Sequence, residues 1–381
     1  MKYNLADICE YAKGKVDVAI LDDETYISTE NMMPNKGGIT SASSLPTIAQ
    51  TQVFLAGDVL VSNIRPYFKK IWFAEFDGGC SNDVLVFRAK DGVSKRFLYY
   101  VLSDDTFFDY SMATSKGTKM PRGDKAAIMK YEVPDFTYEE QEKIAGILEA
   151  LDRKIQLNTE INENLLEQAL TLYATQFSSL ELNGCIGDYC SVKSGFAFKS
   201  SWWTNCGVRV IKIGSINQDN LNLLECSYVD EDKANKAKDF VVKAGDLLIA
   251  MTGATIGKFA MVPYSSEVLL INQRVGKFFL GNNPVEKLPF IYCTLKQPEV
   301  YAEVVNRGQG SAQPNISASD IMSIPCVIPS QDAINNFNDM SQPLFDLIIS
   351  NQRENRQLSE LRNALLPKLM SGELDVTDID L

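Results

Sequence analysis

"GTKMPRGDKAAIMKYEVPDF" runs from Gly117 to Phe136, and "GQGSAQPNISASDIMSIPCVIPS" runs from Gly308 to Ser330. Laid over one another, the two stretches align Pro121 with Pro314 and Ile128-Met129 with Ile321-Met322, an offset of 193 (314 − 121). The same offset carries Leu151 onto Leu344, Ile155 onto Ile348, Asn158 onto Asn351, Asn162 onto Asn355, Leu165 onto Leu358 and Leu172 onto Leu365. A register held over that distance marks a duplicated domain and not an array of short repeats.

Upstream the register slips by a few residues, as it does where loops differ in length. "AGDVLVSNIRPYFKK" from Ala56 meets "AGDLLIAMTGATIGK" from Ala244, and "DICEYAKG" from Asp7 meets "DYCSVKSG" from Asp188. Each half reads as short β-rich runs punctuated by Gly and Asn, then a proline-bearing exit, then a long helix. The expected organisation is a globular domain at 1–137, a helix at 138–178, a second domain at 179–331, a second helix at 332–372 and a tail at 373–381.

The length of 381 residues suits two domains of ordinary size. A hydrophobic fraction of 45% and a charged fraction of 23% fit a globular protein, and no apolar run reaches the roughly 20 residues that a bilayer requires. Charges interrupt "MKYNLADICEYAKGK", so export is not expected and the cytoplasm is the expected location. The eight cysteines form no Cys-x-x-Cys pair and read as reduced thiols. No histidine is present, which removes the commonest general base, His-activated nucleophiles and imidazole metal ligation. A net charge of −12 excludes a wholly basic surface; any grip on nucleic acid must come from local patches.

In the first helix the apolar seam steps by four and three: Ile144, Leu148, Leu151, Ile155, Asn158, Asn162, Leu165, Ala169, Leu172. The second gives Phe337, Ser341, Leu344, Ile348, Asn351, Asn355, Leu358, Arg362, Leu365, Leu369. This is a heptad seam, and each copy carries two asparagines at its middle. Set antiparallel with Asn158 facing Asn355, paired positions sum to 513 (158 + 355), so Ile155 meets Leu358, Leu165 meets Ile348 and Ile144 meets Leu369. The competing reading is two amphipathic helices, each packed on its own domain. Pro343 is expected to start or bend the second helix, and Pro367 to disturb its last turn. A rod of roughly 30 to 38 residues is about 45 to 57 Å long and would hold two domains well apart.

A duplicated β-rich domain, each copy followed by a long helix, with "LRNALLPKLMSGELDV" near the C-terminus, resembles the specificity subunit of type I restriction-modification systems. "CSVKSGFAFKSS" is similar to that family's domain-opening loop, "AGDLLIAMTGATIGK" to its central segment and "GQGSAQPNIS" to its exit turn. "TYEEQEKIAGILEALDRKI" resembles its entry into the spacer helix. In the first domain "SKGTKMPRGDK" lacks the Gln of "GSAQPN", and "NIRPYFKK" replaces "MTGATIGK", which implies a different DNA sequence for the same role. The resemblance implies an α+β fold: two similar target recognition domains joined by two long helices in an antiparallel coiled coil, with pseudo-two-fold symmetry. It implies a non-catalytic subunit of an adenine-N6 methyltransferase and restriction endonuclease complex acting in phage defence. Each domain would read one half of a bipartite, asymmetric target. The helices would set the spacer and dock two methyltransferase subunits, with restriction/motor subunits joining for cleavage. S-adenosylmethionine, ATP and Mg2+ are expected on those partners and none on this chain.

Two local patterns are consistent with that division of labour. "TGATIGKF" has Thr252 where a phosphate-binding loop needs its first glycine, and Phe259 where it needs Ser or Thr. "GNNPVEKLPF" lacks the Asn-Pro-Pro-aromatic run of amino-methyltransferases. Reading double-stranded DNA needs donors for base edges and cations for phosphates, carried on loops. Where the family places its loops, the first domain offers Asn63, Arg65, Tyr67, Lys69, Lys70, Asn82, Lys116, Lys119 and Arg122. The second offers Lys193, Ser194, Lys199, Lys212, Thr252, Lys258, Gln273, Arg274, Arg307, Gln309, Gln313 and Asn315. Gly308, Gly310 and Pro314 read as turn formers, and Trp202-Trp203 as half-buried packing. Carboxylates crowd the first helix and suit protein partners better than DNA. The alternative is a scaffold or regulator of a methyltransferase complex that reads no bases. An enzyme acting alone would need Asp58 and Asp246 as an acid-base pair, against their reading as turn aspartates.

Overall fold

The computed structural model describes residues 2–308 and 314–376. The chain divides into two compact units, Met1–Lys154 with Leu358–Leu381, and Ile155–Gln357. Each long helix therefore contributes one part to each unit.

In the first unit a four-stranded antiparallel sheet runs in the order Cys9–Tyr11, Val84–Ala89, Val59–Ser62, Ile71–Phe73. Its two faces enter different cores. Val59, Val61, Leu85 and Phe87 pack with the helices Lys95–Ser103 and Asp105–Ala113, whereas Leu60, Val84 and Val86 meet Ile27, Phe54 and Cys80. Alternate side chains point to opposite faces, so a sheet buried on both sides reads in sequence as unbroken apolar runs such as "VLV" and "VLVF". A second sheet, ordered Lys15–Asp17, Gln50–Phe54, Gly78–Cys80, Tyr26–Ile27, closes the other side.

The second unit repeats the first sheet with the corresponding strands: Ser191–Ser194, Val275–Phe279, Leu247–Ala250, Phe259–Met261. Leu247, Ile249 and Phe259 face one core and Leu248, Ala250 and Ala260 the other. Its second sheet has five strands, ordered Trp203–Thr204, Ser227–Val229, Val208–Ile211, Leu269–Ile271, Val241–Val242. In both units the exit segment ends in a short antiparallel ribbon, Glu132–Pro134 with Lys2–Asn4 and Pro325–Cys326 with Gly184–Cys185.

The first long helix, Tyr138–Phe177, starts at a capping box: Glu140 accepts from the Thr137 backbone N–H (2.7 Å), and the Thr137 hydroxyl accepts from the Glu140 N–H (3.3 Å). The second, Gln331–Met370, follows Ser330, whose hydroxyl accepts from Ala333 N–H, and stops before Gly372 at φ +73°. Pro343 does not begin this helix, which opens twelve residues earlier and continues past it, and Pro367 also lies within it. The lost backbone hydrogen bond is outweighed by packing on either side: Phe337 and Phe345 flank Pro343, Leu366 and Leu369 flank Pro367, and all four are buried.

The two helices run antiparallel. Within the second unit Asn158 donates to Asn355 (2.9 Å) and Asn351 to Asn162 (2.9 Å), each pair summing to 513. Asn158, 1% exposed, also donates to Glu354 (2.7 Å). Two bonded asparagine layers thus sit between apolar layers, which fixes axial register at some cost in stability. Leu165 and Leu344 are only partly buried, beside buried Ile348. Leu151, Ile155 and Leu358 are half-buried, as in a narrow seam.

Away from the asparagines the seam widens. In the first unit Ile144 and Leu148 share a core with Leu366 and Leu369 and with the sheet. In the second, Phe345 and Ile349, which lie outside the heptad positions, are fully buried beside Tyr173 and Phe177. The helices are therefore paired at the middle, and toward its ends each packs into the core of the unit in which that end lies; the alternative of two separate helices, each on its own domain, does not hold.

Asn158→Ala, which removes the donor to the Asn355 side-chain oxygen, should lower stability by about 1–3 kcal/mol in denaturant titration. Asn158→Leu with Asn355→Leu should recover that loss.

Candidate nucleic-acid interface

"NIRPYFKK" and "TGATIGK" occupy the same place, the turn joining one inner strand of the repeated sheet to its edge strand. It lies between Val59–Ser62 and Ile71–Phe73 in the first unit, and between Leu247–Ala250 and Phe259–Met261 in the second. The latter is strand, turn and strand, which differs from the strand-loop-helix of a phosphate-binding loop.

Both central turns are held by the same main-chain bonds. Arg65 N–H donates to Pro121 C=O (2.8 Å) and Gly253 N–H to Pro314 C=O (3.0 Å). Single bridges join Ile64 to Arg122 and Thr252 to Asn315. One residue earlier, Asn63 N–H donates to Asp83 C=O (2.8 Å) and Met251 N–H to Arg274 C=O (3.0 Å). Below, Gly123 N–H reaches Asn63 C=O (3.3 Å) and Ile316 N–H reaches Met251 C=O (2.9 Å). Central turn, strand-entry turn and exit turn therefore form one platform, present once in each unit. Because its bonds are main-chain, the side chains are free to differ.

They differ most at the left-handed positions. Gly253 (φ +75°) and Gly257 (φ +83°) correspond to Arg65 (φ +51°) and Lys69 (φ +50°). A non-glycine residue there costs on the order of 1–2 kcal/mol. Asn35 and Lys36 are also left-handed, and their N–H groups donate to Phe68 C=O (2.8 Å) and Lys69 C=O (2.9 Å). Asp105 then accepts ion pairs from Lys36 (2.9 Å) and Lys69 (2.8 Å). Burial raises the Asp105 pKa, but the two ammonium groups outweigh it and hold the carboxyl below its usual range.

Around this turn Tyr67 and Phe68 are exposed, with ring centroids 4.6 Å apart. Arg122 pairs with Asp83 (3.1 Å) and Lys116 with Asp124 (2.6 Å), both cations being exposed. Lys119 and Asn82 are exposed, whereas Lys70 turns inward to Thr29 C=O (2.6 Å) and burial lowers its pKa. Buried polar atoms without a hydrogen-bond partner among the described residues gather here: Asn63 Oδ1 and Arg65 Nε in the first unit, Thr252 Oγ1 and Thr255 Oγ1 in the second.

In the second unit Gln273 and Arg274 are exposed at the strand-entry turn, Asn315 is exposed on the exit turn, and Lys258 is half-buried at the end of the central turn. Ser194 approaches Met251 Sδ (3.8 Å), and Lys193 lies over the Phe279 ring (5.1 Å). Lys199 and Lys212 belong to a separate group on the five-stranded side. Lys212 stacks on Trp203 (3.6 Å), and Lys199, Lys233 and Lys236 surround Trp202 at 5.4–5.8 Å. Both tryptophans are half-buried. Arg307 is tied inward to Glu303 (2.8 Å), Ser323 (2.6 Å) and Asp320 C=O (3.1 Å). Gln309, Gly310 and Gln313 lie outside the described residues.

Asp58 and Asp246 are buried turn aspartates. Each accepts from the backbone three residues back, Leu55 (2.8 Å) and Lys243 (2.9 Å), and pairs with Arg88 or Lys277 from the central strand. Sequence reasoning missed Asn35, Lys36, Lys233 and Lys236. The turn composition "PNKGG" could have flagged the first two; nothing local marks the lysines around Trp202.

The model of the type I restriction modification DNA specificity domain matches this chain at residues 1–167 and again at 182–358. The MjaIX specificity subunit of Methanocaldococcus jannaschii is 26% identical over 76% of this chain and 71% of its own length. The HindI specificity subunit of Haemophilus influenzae is 24% identical over 98% of this chain and 99% of its own. In fold, the chain resembles the type I restriction-modification S subunit from M. genitalium at a TM-score of 0.56, with 16% identity, covering 97% of this chain and 96% of that one.

Because the Asp105 carboxyl is depressed, its contribution is present above about pH 4 and lost as pH falls through the lowered folded-state value. Amide exchange at Asn35 and Lys36, normalised to intrinsic rates, should accelerate through that window, and Asp105→Asn should abolish the dependence.

Proposed function

Since the chain belongs to the type I restriction-modification DNA specificity family, we propose that it selects the DNA sequence on which a type I restriction-modification complex acts. Each globular domain, at 1–137 and 179–331, reads one half of a bipartite, asymmetric target on double-stranded DNA. The observation that carries this reading is the platform built twice from the same main-chain bonds with different side chains on it. A shared frame presenting unlike donors is what two readers of unlike half-targets require.

In the first domain Arg65, Tyr67, Asn82, Lys116, Lys119 and Arg122 form the reading surface, with Asn63 buried beneath it and Lys69 fixing the turn. In the second, Thr252, Lys258, Gln273, Arg274 and Asn315 do so, joined by Lys193, Ser194 and the lysines around Trp202 and Trp203. The helices at 138–178 and 332–372 set the gap between half-targets and dock two methyltransferase subunits. Exposed Glu142, Glu160, Glu163 and Glu167 on the first helix favour protein over DNA there. Restriction/motor subunits join for cleavage. The chain is non-catalytic; adenine-N6 methylation and the S-adenosylmethionine, ATP and Mg2+ that the complex uses belong to the partners. The chain acts in the cytoplasm.

Genome-wide methylation mapping in cells with and without the chain should show an adenine mark at a split motif of fixed gap. Exchanging residues 184–330 for another such domain should alter one half of that motif and leave the other intact. A mark that is unchanged by the exchange would overturn the reading.

A further inference from the structure

We propose that Arg65 contacts the DNA directly and that Lys69 positions it, so that the first domain's central turn keeps two cations where its counterpart keeps two glycines. The proposal rests on the DNA-reading function above and goes further by assigning roles within one turn.

The repeat supplies the comparison. At φ +75° and +83° the second domain uses Gly253 and Gly257, the residues that adopt such backbone most readily. At the equivalent φ +51° and +50° the first domain holds Arg65 and Lys69. The main-chain bond that fixes the turn, from residue 65 or 253 to a proline carbonyl, is made in both. Neither side chain is thus needed to form that bond.

Lys69 has a visible use, since it shares Asp105 with Lys36 while the neighbouring N–H groups of Asn35 and Lys36 clasp the turn. Arg65 has none. Its guanidinium makes no ion pair or side-chain hydrogen bond with any described residue, and its Nε is buried without a partner. Arg122 and Lys116 beside it already hold carboxylates. A half-buried cation on strained backbone, with its frame fixed and its donors unmatched, is complementary to an acceptor pair brought by a ligand. On DNA that pair is either guanine O6 and N7 or two phosphate oxygens.

The test uses the assembled complex with its methyltransferase partners and duplexes carrying the mapped motif. Arg65→Gly should leave the thermal midpoint unchanged or raised while weakening target binding about tenfold or more. If the acceptors are on guanine, discrimination at one base pair of the first half-target collapses and Arg65→Lys fails to restore it. If they are on phosphate, binding weakens equally on all sequences, the salt slope falls by about one, and Arg65→Lys recovers most of the loss. Gly253→Arg should lower the midpoint and gain no affinity. Binding within twofold of wild type for Arg65→Gly would overturn the proposal. So would a lowered midpoint with parallel loss of binding, which marks Arg65 as a support of the turn. A wild-type complex that prefers no sequence would instead overturn the DNA-reading function beneath it.

Discussion

A proline carbonyl accepting one backbone N–H from the central turn is the constraint on which each reading head depends. Pro121 and Pro314 have no N–H to donate and present their carbonyls to the turn, and Arg65 or Gly253 meets them through its own N–H. That bond, with the neighbouring bonds from Gly123 to Asn63 and from Ile316 to Met251, holds the exit segment against the inner sheet. The exit segment in turn leads into the terminal ribbon and the capping box or serine cap of a long helix. The path from loop to helix is therefore stiff within each unit, which a loop used for reading requires.

Beneath the platform, the inner sheet is buried on both faces. Its strands contribute alternate residues to two cores, so the turn at its edge cannot drift without disturbing both. Strain at Arg65 and Lys69, and unpartnered polar atoms at Asn63 and Thr252, persist because that support over-determines them. The asparagine layers do the corresponding work for the helices, trading some apolar contact for one register.

Much of this was legible in the residues. The 193-residue offset revealed the duplication, the 3.5-residue period revealed two seams whose asparagines match when the helices are set antiparallel, and "TYEEQEKIAGILEALDRKI" resembled an entry into a long helix. Pro343 misled as a helix start because local propensity yields to the buried aromatics on either side of it. The site was legible by loop and not by side chain. Whether a lysine or arginine is free depends on partners far along the chain: Lys69 meets Asp105 and Arg307 meets Ser323. Left-handed backbone at Asn35 and Lys36 is likewise set by what the 65–69 turn needs. Sequence adjacency carries no record of such pairings.

A frame secured through the main chain has an evolutionary consequence. Selection can rewrite the alphabet of side chains on one head without endangering the fold, and the second head is untouched by the change. Specificity built on such a frame can change one vocabulary at a time on a common grammar.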